Sequence, residues 1–217
     1  GVQALGHFAW GEALLNQREH QQAGVQLEQA LDLASRAGSQ QLQAHIRRDL
    51  GILSWGQSDY PTARAHFEAA LALFRRLGDR SGEGNTLRSL GIVSGDHGDL
   101  SAARGYFQEA LAIAREIGDR RAANAALHNL GIAALYAGEY AEARAAHERA
   151  LRVAQELGAR SSMGNALIAL GNAALRENHL GEAGIAFQRA LRIFAEIGDR
   201  RGEAMARGRG GYVRLHM

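Results

Sequence analysis

The side chains able to do chemistry in this sequence are histidines, carboxylates and arginines, and their spacing argues against catalysis. The 217 residues include 9 His and 23 Asp and Glu, but no cysteine and no lysine, so all 25 basic residues are arginines. These absences exclude thiolate nucleophiles, the phosphate-loop lysine and Schiff-base chemistry. No nucleophile has a base beside it at an activating spacing. We therefore expect no enzyme and no catalytic residue.

The histidine pattern does not predict a metal site. No two histidines lie four residues apart, no His-Glu-x-x-His motif occurs, and cysteine ligands are absent. The acidic turn at residues 95–99 has too few ligands for a calcium loop. His147 stands where the repeat pattern places an aromatic core residue, which predicts a packed histidine. We expect neither a metal nor a cofactor.

Charge and hydropathy limit the classes of partner. The formal net charge is +2, and positive and negative residues are interleaved along the chain. A nucleic-acid surface needs clustered positive charge, so we expect no nucleic-acid partner. No run approaches the roughly 18 apolar residues of a membrane span, and no signal segment is recognisable. We expect a cytoplasmic location, and the start at Gly1 instead of a methionine suggests a fragment of a longer protein.

The sequence repeats itself every 40 residues. Leu-Gly begins at residues 50, 90, 130 and 170, Ala-Leu at 30, 70, 110, 150 and 190, and Gly-Asp-Arg at 78, 118 and 198. A fixed period of this length indicates stacked copies of one supersecondary unit. The units are 1–40, 41–80, 81–120, 121–160 and 161–200, followed by a terminal helix over 201–217, which we expect to fray. We predict a single repeat domain over 1–217.

Each unit contains two helical patterns. In the second unit they run over about 41–56 and 61–77, and Pro61 lies at the start of the second helix, where proline is favoured. Apolar residues recur at steps of three and four, and no segment alternates with period two, which predicts an all-α chain. In Gly-Asp-Arg, the Gly is predicted to end one helix in a left-handed conformation and the Asp to cap the next. The Gly of Leu-Gly is predicted to make room for a neighbouring helix.

These landmarks resemble the tetratricopeptide repeat family. In the third unit the matching residues are Leu90, Gly91, Ala103, Phe107 and Ala110. The period of 40 exceeds the usual length of about 34, and the closing proline is missing. The variety is similar to the longer repeats of LGN/Pins cell-polarity scaffolds and of MalT- or AfsR-type sensor arms. The resemblance implies an α-solenoid, a right-handed superhelix of antiparallel helix pairs, with five repeats and a C-terminal helix.

In this family the first helices line a concave groove at positions six, three and two before the recurring Gly and one after it. Carried over, these positions imply a groove that binds a peptide or partner protein through thirteen residues: His45, Arg48, Asp49, Ile52, Asn85, Arg88, Ser89, Ile92, His128, Asn129, Ile132, Asn165 and Asn172. Asparagine amides suit a peptide backbone and the arginines suit carboxylates. Glu12 occupies the last position in the first unit, but the second to fourth units carry more of the polar set.

Four functions remain open at this point. The first is a protein-interaction module that binds a peptide or protein. The second is the sensor or regulatory arm of a larger bacterial signalling ATPase or transcription activator. RNA recognition by helical repeats is disfavoured by Asp49, Glu12 and the row of isoleucines. Self-association through exposed repeat ends is the fourth possibility.

Overall fold

The computed structural model describes residues 2–17 and 19–216, with the backbone alone at 214–216. The described residues form helices and short turns without a strand, which confirms the all-α prediction. Eleven helices follow one another along these residues: α1 (Val2–Asn16), α2 (His20–Arg36), α3 (Gln40–Gly56), α4 (Tyr60–Leu77), α5 (Arg80–Asp96), α6 (Leu100–Glu116), α7 (Arg120–Tyr136), α8 (Tyr140–Glu156), α9 (Arg160–Arg176), α10 (Leu180–Glu196) and α11 (Arg200–His216). Gly1 and Met217, the ends of the predicted domain, lie outside the described residues.

Helix boundaries follow the predicted caps. Gly78 closes α4 with a φ of 69°, a conformation that glycine adopts cheaply. Asp79 then accepts a hydrogen bond from the Gly82 amide at 2.8 Å, and Asp119 accepts one from Ala122 at 2.9 Å. Each carboxylate satisfies an amide that the first helical turn leaves without a partner. The capping interpretation of Gly-Asp-Arg is thereby confirmed.

The chain groups into two compact units, Gly1–Ile113 and Ala114–Met217. In the first unit, α1 to α5 pack consecutively as antiparallel neighbours, and α3 also contacts both α1 and α5. The second unit repeats this arrangement with α7 to α11, where α9 contacts both α7 and α11. Within each unit the odd-numbered helices thus form one layer. A single domain over 1–217 stays a prediction.

Apolar stripes of the helix pairs form the cores. In the first unit, Leu27 on α2 packs with Ile46 and Leu50 on α3, joining two repeats. In the second unit, Phe187 and Phe194 on α10 pack with Val213 on α11. The final helix therefore packs on the apolar face of the fifth repeat.

The glycine of each Leu-Gly pair lies against a large side chain of the paired helix. A Cβ built on Gly91 would lie 2.4 Å from Phe107 Cε1, and one on Gly51 would lie 2.7 Å from Phe67 Cε1. His147 takes the same place against Gly131 in the fourth repeat. These contacts are too close for any side chain larger than hydrogen, which confirms the packing role of the recurring glycine.

Candidate binding surface

The candidate side chains of the first unit form a charged patch on three neighbouring helices. We call Glu12 on α1, His45, Arg48 and Asp49 on α3, and Arg88 on α5 the α1–α3–α5 patch. These helices supply it because residues 40 apart occupy equivalent places in contacting odd-numbered helices. Charges from all three helices influence one another, since the Asp49 carboxylate acts on Glu12 and the Arg48 guanidinium acts on Arg88.

Arg48 and Asp49 are paired with each other. Arg48 donates from Nε and Nη2 to Asp49 Oδ1, at 3.1 and 3.0 Å. The Asp49 side chain is only 5% exposed and that of Arg48 is 24% exposed. Burial raises the pKa of Asp49 above its ordinary value, while the charge and hydrogen bonds of Arg48 act in the opposite direction. The positive charge of Arg48 is therefore largely committed inside the protein.

Arg88 has no such partner. It is half-buried, and no hydrogen bond or ion pair joins it to another described residue. Burial lowers the pKa of its guanidinium, and the nearby positive charge of Arg48 lowers it further. Because an arginine stays protonated in proteins, this charge is partly desolvated without compensation. An incoming carboxylate would supply the missing partner.

The other predicted residues of the first unit are less available. The Ser89 hydroxyl donates to the backbone oxygen of Asn85 at 3.2 Å, one helical turn earlier. The ring of His45 packs edge-on against Phe74, with ring centroids 5.1 Å apart. Ile52 is 40% exposed and Ile92 is half-buried, so both offer some apolar surface. His45 therefore has a packing role that its position in the sequence did not predict.

A small cavity adjoins the patch at His45. Its volume is about 310 Å³, and it is lined by Leu5 and Phe8 of α1 and by Ser39, Gln41, Leu42 and His45 at the start of α3. The lining is mostly apolar near α1 and polar near Ser39 and Gln41. The first unit thus presents an apolar recess lined by α1 and the start of α3, and a guanidinium on α5 that lacks an anionic partner among the described residues.

Glu12 lies at a groove position of the repeat register but is not one of the thirteen candidate residues. Burial raises the pKa of its carboxyl above the ordinary value, and the negative charge of Asp49 adds to that effect. The register of the repeat puts Glu12 40 residues before Ile52, at the same position in the first helix. A carboxylate at this place makes the α1 side of the patch unfavourable for anions.

In the second unit, the predicted residues lie on α7 and α9 but form no charged cluster. His128, Asn129, Ile132 and Asn172 are half-buried, whereas Asn165 is exposed. The Oδ1 atom of Asn172 is buried and has no hydrogen-bond partner among the residues that the structure describes. His128 lies against His147, with ring centroids 5.3 Å apart, and burial lowers the pKa of His128. His128 therefore borders the core rather than standing free.

His147 is fully buried, as its aromatic position predicts. Both of its ring nitrogens lack a hydrogen-bond partner among the described residues. Burial, and then the charge of the neighbouring His128, lower the pKa of His147 to about 4. The ring is thus neutral at pH 7 and takes the place of a phenylalanine.

Long-range ion pairs connect consecutive repeats and were not predicted from the sequence. The Arg of one Gly-Asp-Arg turn, Arg120, pairs with Glu156 at the end of α8, and Arg160 pairs with Glu196 one repeat later. Arg144 bridges Glu177 and Glu182, at 2.5 and 2.6 Å. The recurrence of Arg and Glu at a separation of 36 was the signal that could have revealed the first two.

The described part of the chain offers no support for a metal site or for a membrane-spanning helix. No group of three or more His, Asp or Glu side chains is placed to hold a metal ion. No described helix is both long and apolar enough to cross a membrane.

Helix pairs joined by short turns, with a glycine fitted against an aromatic ring and polar side chains on contacting first helices, define a helical-repeat protein. The sequence profile of the tetratricopeptide repeat family matches residues 42–116 and 122–196, and the chain belongs to this family. The profile describes a structural repeat and no catalytic family. A search of curated proteins finds no significant match.

Solved structures share this fold at low sequence identity. BtubC (BKLC) from P. vanneervenii is 21% identical with a TM-score of 0.77, over 87% of this chain and 78% of that one. The Rap protein complexed with competence and sporulation factor is 17% identical with a TM-score of 0.71, over 98% of this chain and 64% of that one. A signal transduction ATPase with a tetratricopeptide repeat sensor, from Pyrococcus horikoshii, is 15% identical with a TM-score of 0.87; this chain spans 98% of its own length but 32% of that protein. At these identities the likeness concerns the fold alone.

Proposed function

We propose that this chain is a non-catalytic interaction module that binds a peptide segment of a partner protein on its odd-numbered helices. The observation that carries the proposal is Arg88, a half-buried guanidinium that lacks an anionic partner. The packing of the described residues assigns no structural role to the charge of Arg88, whereas a bound carboxylate would form a charge-assisted hydrogen bond with its guanidinium. The recess at Leu5 and Phe8 offers a place for an apolar side chain of the same segment.

The fold comparison supports a peptide or protein ligand in a general way. A protein of the same fold, Rap, was crystallised in complex with competence and sporulation factor. Residues on one face of contacting helices can contact an extended peptide in successive repeats, because equivalent positions recur every 40 residues. Within the second unit taken by itself, the amides of Asn129, Asn165 and Asn172 can both donate to and accept from a peptide backbone.

The test is a selection of random dodecapeptides displayed on phage against the whole purified chain. We expect the selected peptides to be enriched in acidic residues and to lose about 10- to 100-fold in affinity with Arg88→Ala, the cost of a hydrogen bond to a charged group of about 1.5–3 kcal/mol. Arg76→Ala is the matched control, because Arg76 is an exposed arginine near the end of α4, outside the patch. Circular dichroism checks that both variants keep their helicity. Failure to select any peptide, or equal binding by the two variants, would contradict the proposal.

A sensor arm of a larger signalling protein is the second candidate. It is supported by the structural likeness to the sensor-bearing signal transduction ATPase, over nearly the whole of this chain. The two candidates share a binding surface and differ in what the surface controls. A nucleotide-binding domain encoded in the same gene would favour the sensor arm, and a gene without one would favour the stand-alone module.

A further inference from the structure

The inference concerns Asp49, the carboxylate of the α1–α3–α5 patch that is paired with Arg48. Consecutive residues of a helix point about 100° apart, so Arg48 reaches Asp49 only by bending its side chain toward it. Two donors of Arg48 converge on Asp49 Oδ1. The nearly complete burial of Asp49 restricts the access of solvent to this contact.

The pairing leaves unequal arginines on neighbouring helices. Arg48 has its carboxylate, and Arg88 has none among the described residues. A ligand carboxylate at Arg88 meets an uncompensated charge. A second ligand carboxylate at Arg48 would have to displace Asp49, or lie beside the charges of Asp49 and Glu12, which already disfavour one another.

We infer that Asp49 determines the charge specificity of the patch. By pairing with Arg48, it leaves Arg88 as the single open guanidinium. The site therefore binds one carboxylate of an acidic peptide, and an adjacent second carboxylate adds no affinity. This inference rests on the proposed function. Asp49 acts here through Arg48 and not by touching the ligand. It excludes the wrong ligand by repulsion and by occupying the donor that such a ligand would need.

Three peptides made from one phage-selected sequence provide the test: the single-acid peptide, its Gln version, and a version with a second Glu beside the first. Binding to the whole chain is measured by fluorescence anisotropy. For the wild type we expect the single-acid and double-acid peptides to bind within about threefold of each other, and the Gln version at least 10-fold more weakly. Asp49→Asn should improve the double-acid peptide by about 10-fold relative to the single-acid peptide, since it releases Arg48.

The control is Asp32→Asn, which changes the net charge equally but removes an exposed carboxylate paired with Arg36 on α2. We expect it to leave the ratio of the two affinities unchanged. The inference is overturned if the wild type already binds the double-acid peptide 10-fold more tightly, or if Asp49→Asn leaves the ratio as it was. The first of these results needs no variant, so the inference remains testable if Asp49→Asn does not fold.

The proposed function and this inference fail in different ways. If the single-acid and Gln peptides bind with equal affinity, or if Arg88→Ala leaves the affinity unchanged, both the proposed function and the inference are wrong. Binding that requires Arg88 but has an unchanged affinity ratio in Asp49→Asn would remove the inference alone.

Discussion

Replacing Gly91 with alanine tests the packing on which every repeat depends. The new Cβ would lie 2.4 Å from Cε1 and 2.6 Å from Cδ1 of Phe107, whereas carbon atoms in contact prefer about 3.5–4.0 Å. The ring would have to move by about 1 Å, and Phe107 is only 5% exposed within a packed helix pair. Overpacking of this kind costs about 1–3 kcal/mol, and the rigidity of the contact favours the upper end.

Helix propensity offsets part of that cost. Alanine is better than glycine inside a helix by about 1 kcal/mol. The net loss expected for Gly91→Ala is therefore about 2 kcal/mol, or a melting temperature lower by about 4–8 °C for a chain of this size. The assay is urea unfolding followed by circular dichroism, with the thermal midpoint as a second measure.

Gly105→Ala is the matched control. Gly105 lies in α6, and a Cβ built there meets nothing within 4 Å, so this variant should gain about 1 kcal/mol from propensity. If Gly91→Ala gains as much stability as Gly105→Ala, the close approach of Gly91 and Phe107 is not what fixes the helix pair.

Two further predictions concern His147 and the helix caps. Because the pKa of His147 is lowered to about 4 from an ordinary 6.5, the unfolded chain binds the proton more tightly, and stability should fall as the pH drops from about 6.5 to about 4. We expect the free energy of unfolding in urea to fall by about 2 kcal/mol between pH 7.5 and pH 5. His147→Phe should make this pH dependence shallower. An equally steep pH dependence in the variant would contradict the assignment to His147. Ala159→Asp supplies the carboxylate with which Asp79 caps α5 and Asp119 caps α7, and α9 has no side-chain cap. A gain of about 1 kcal/mol is expected, whereas Asp79→Ala should lose about as much, and no difference between the two variants would show that these caps contribute little.

The local features of the fold could be predicted because they depend on residues close together in the chain. Pro61, Gly78 and Asp79 mark helix ends whatever packs around them, since they act through their own backbone or through an amide three residues away. The predicted bounds of 41–56 and 61–77 accordingly agree within one residue with α3 and α4. The 40-residue period extends the same conclusion to every repeat.

The candidate site was predicted only in outline. The repeat register correctly places His45, Arg48 and Arg88 on contacting odd-numbered helices, but it does not distinguish a free side chain from one already paired. Arg48 and Arg88 look equivalent in the sequence, and the structure shows one bound to Asp49 and the other without a partner. The role of the thirteen residues in binding stays a prediction.

The sequence by itself determined the helices, their ends and their stacking register, because short-range hydrogen bonds and a strict period specify them. Tertiary structure decided which polar groups remain unsatisfied, such as Arg88 and the ring nitrogens of His147. It also decided the bridges between repeats, such as Arg144 with Glu182, 38 residues apart. Those outcomes depend on side-chain conformation and on burial by distant helices, and a one-dimensional pattern specifies neither.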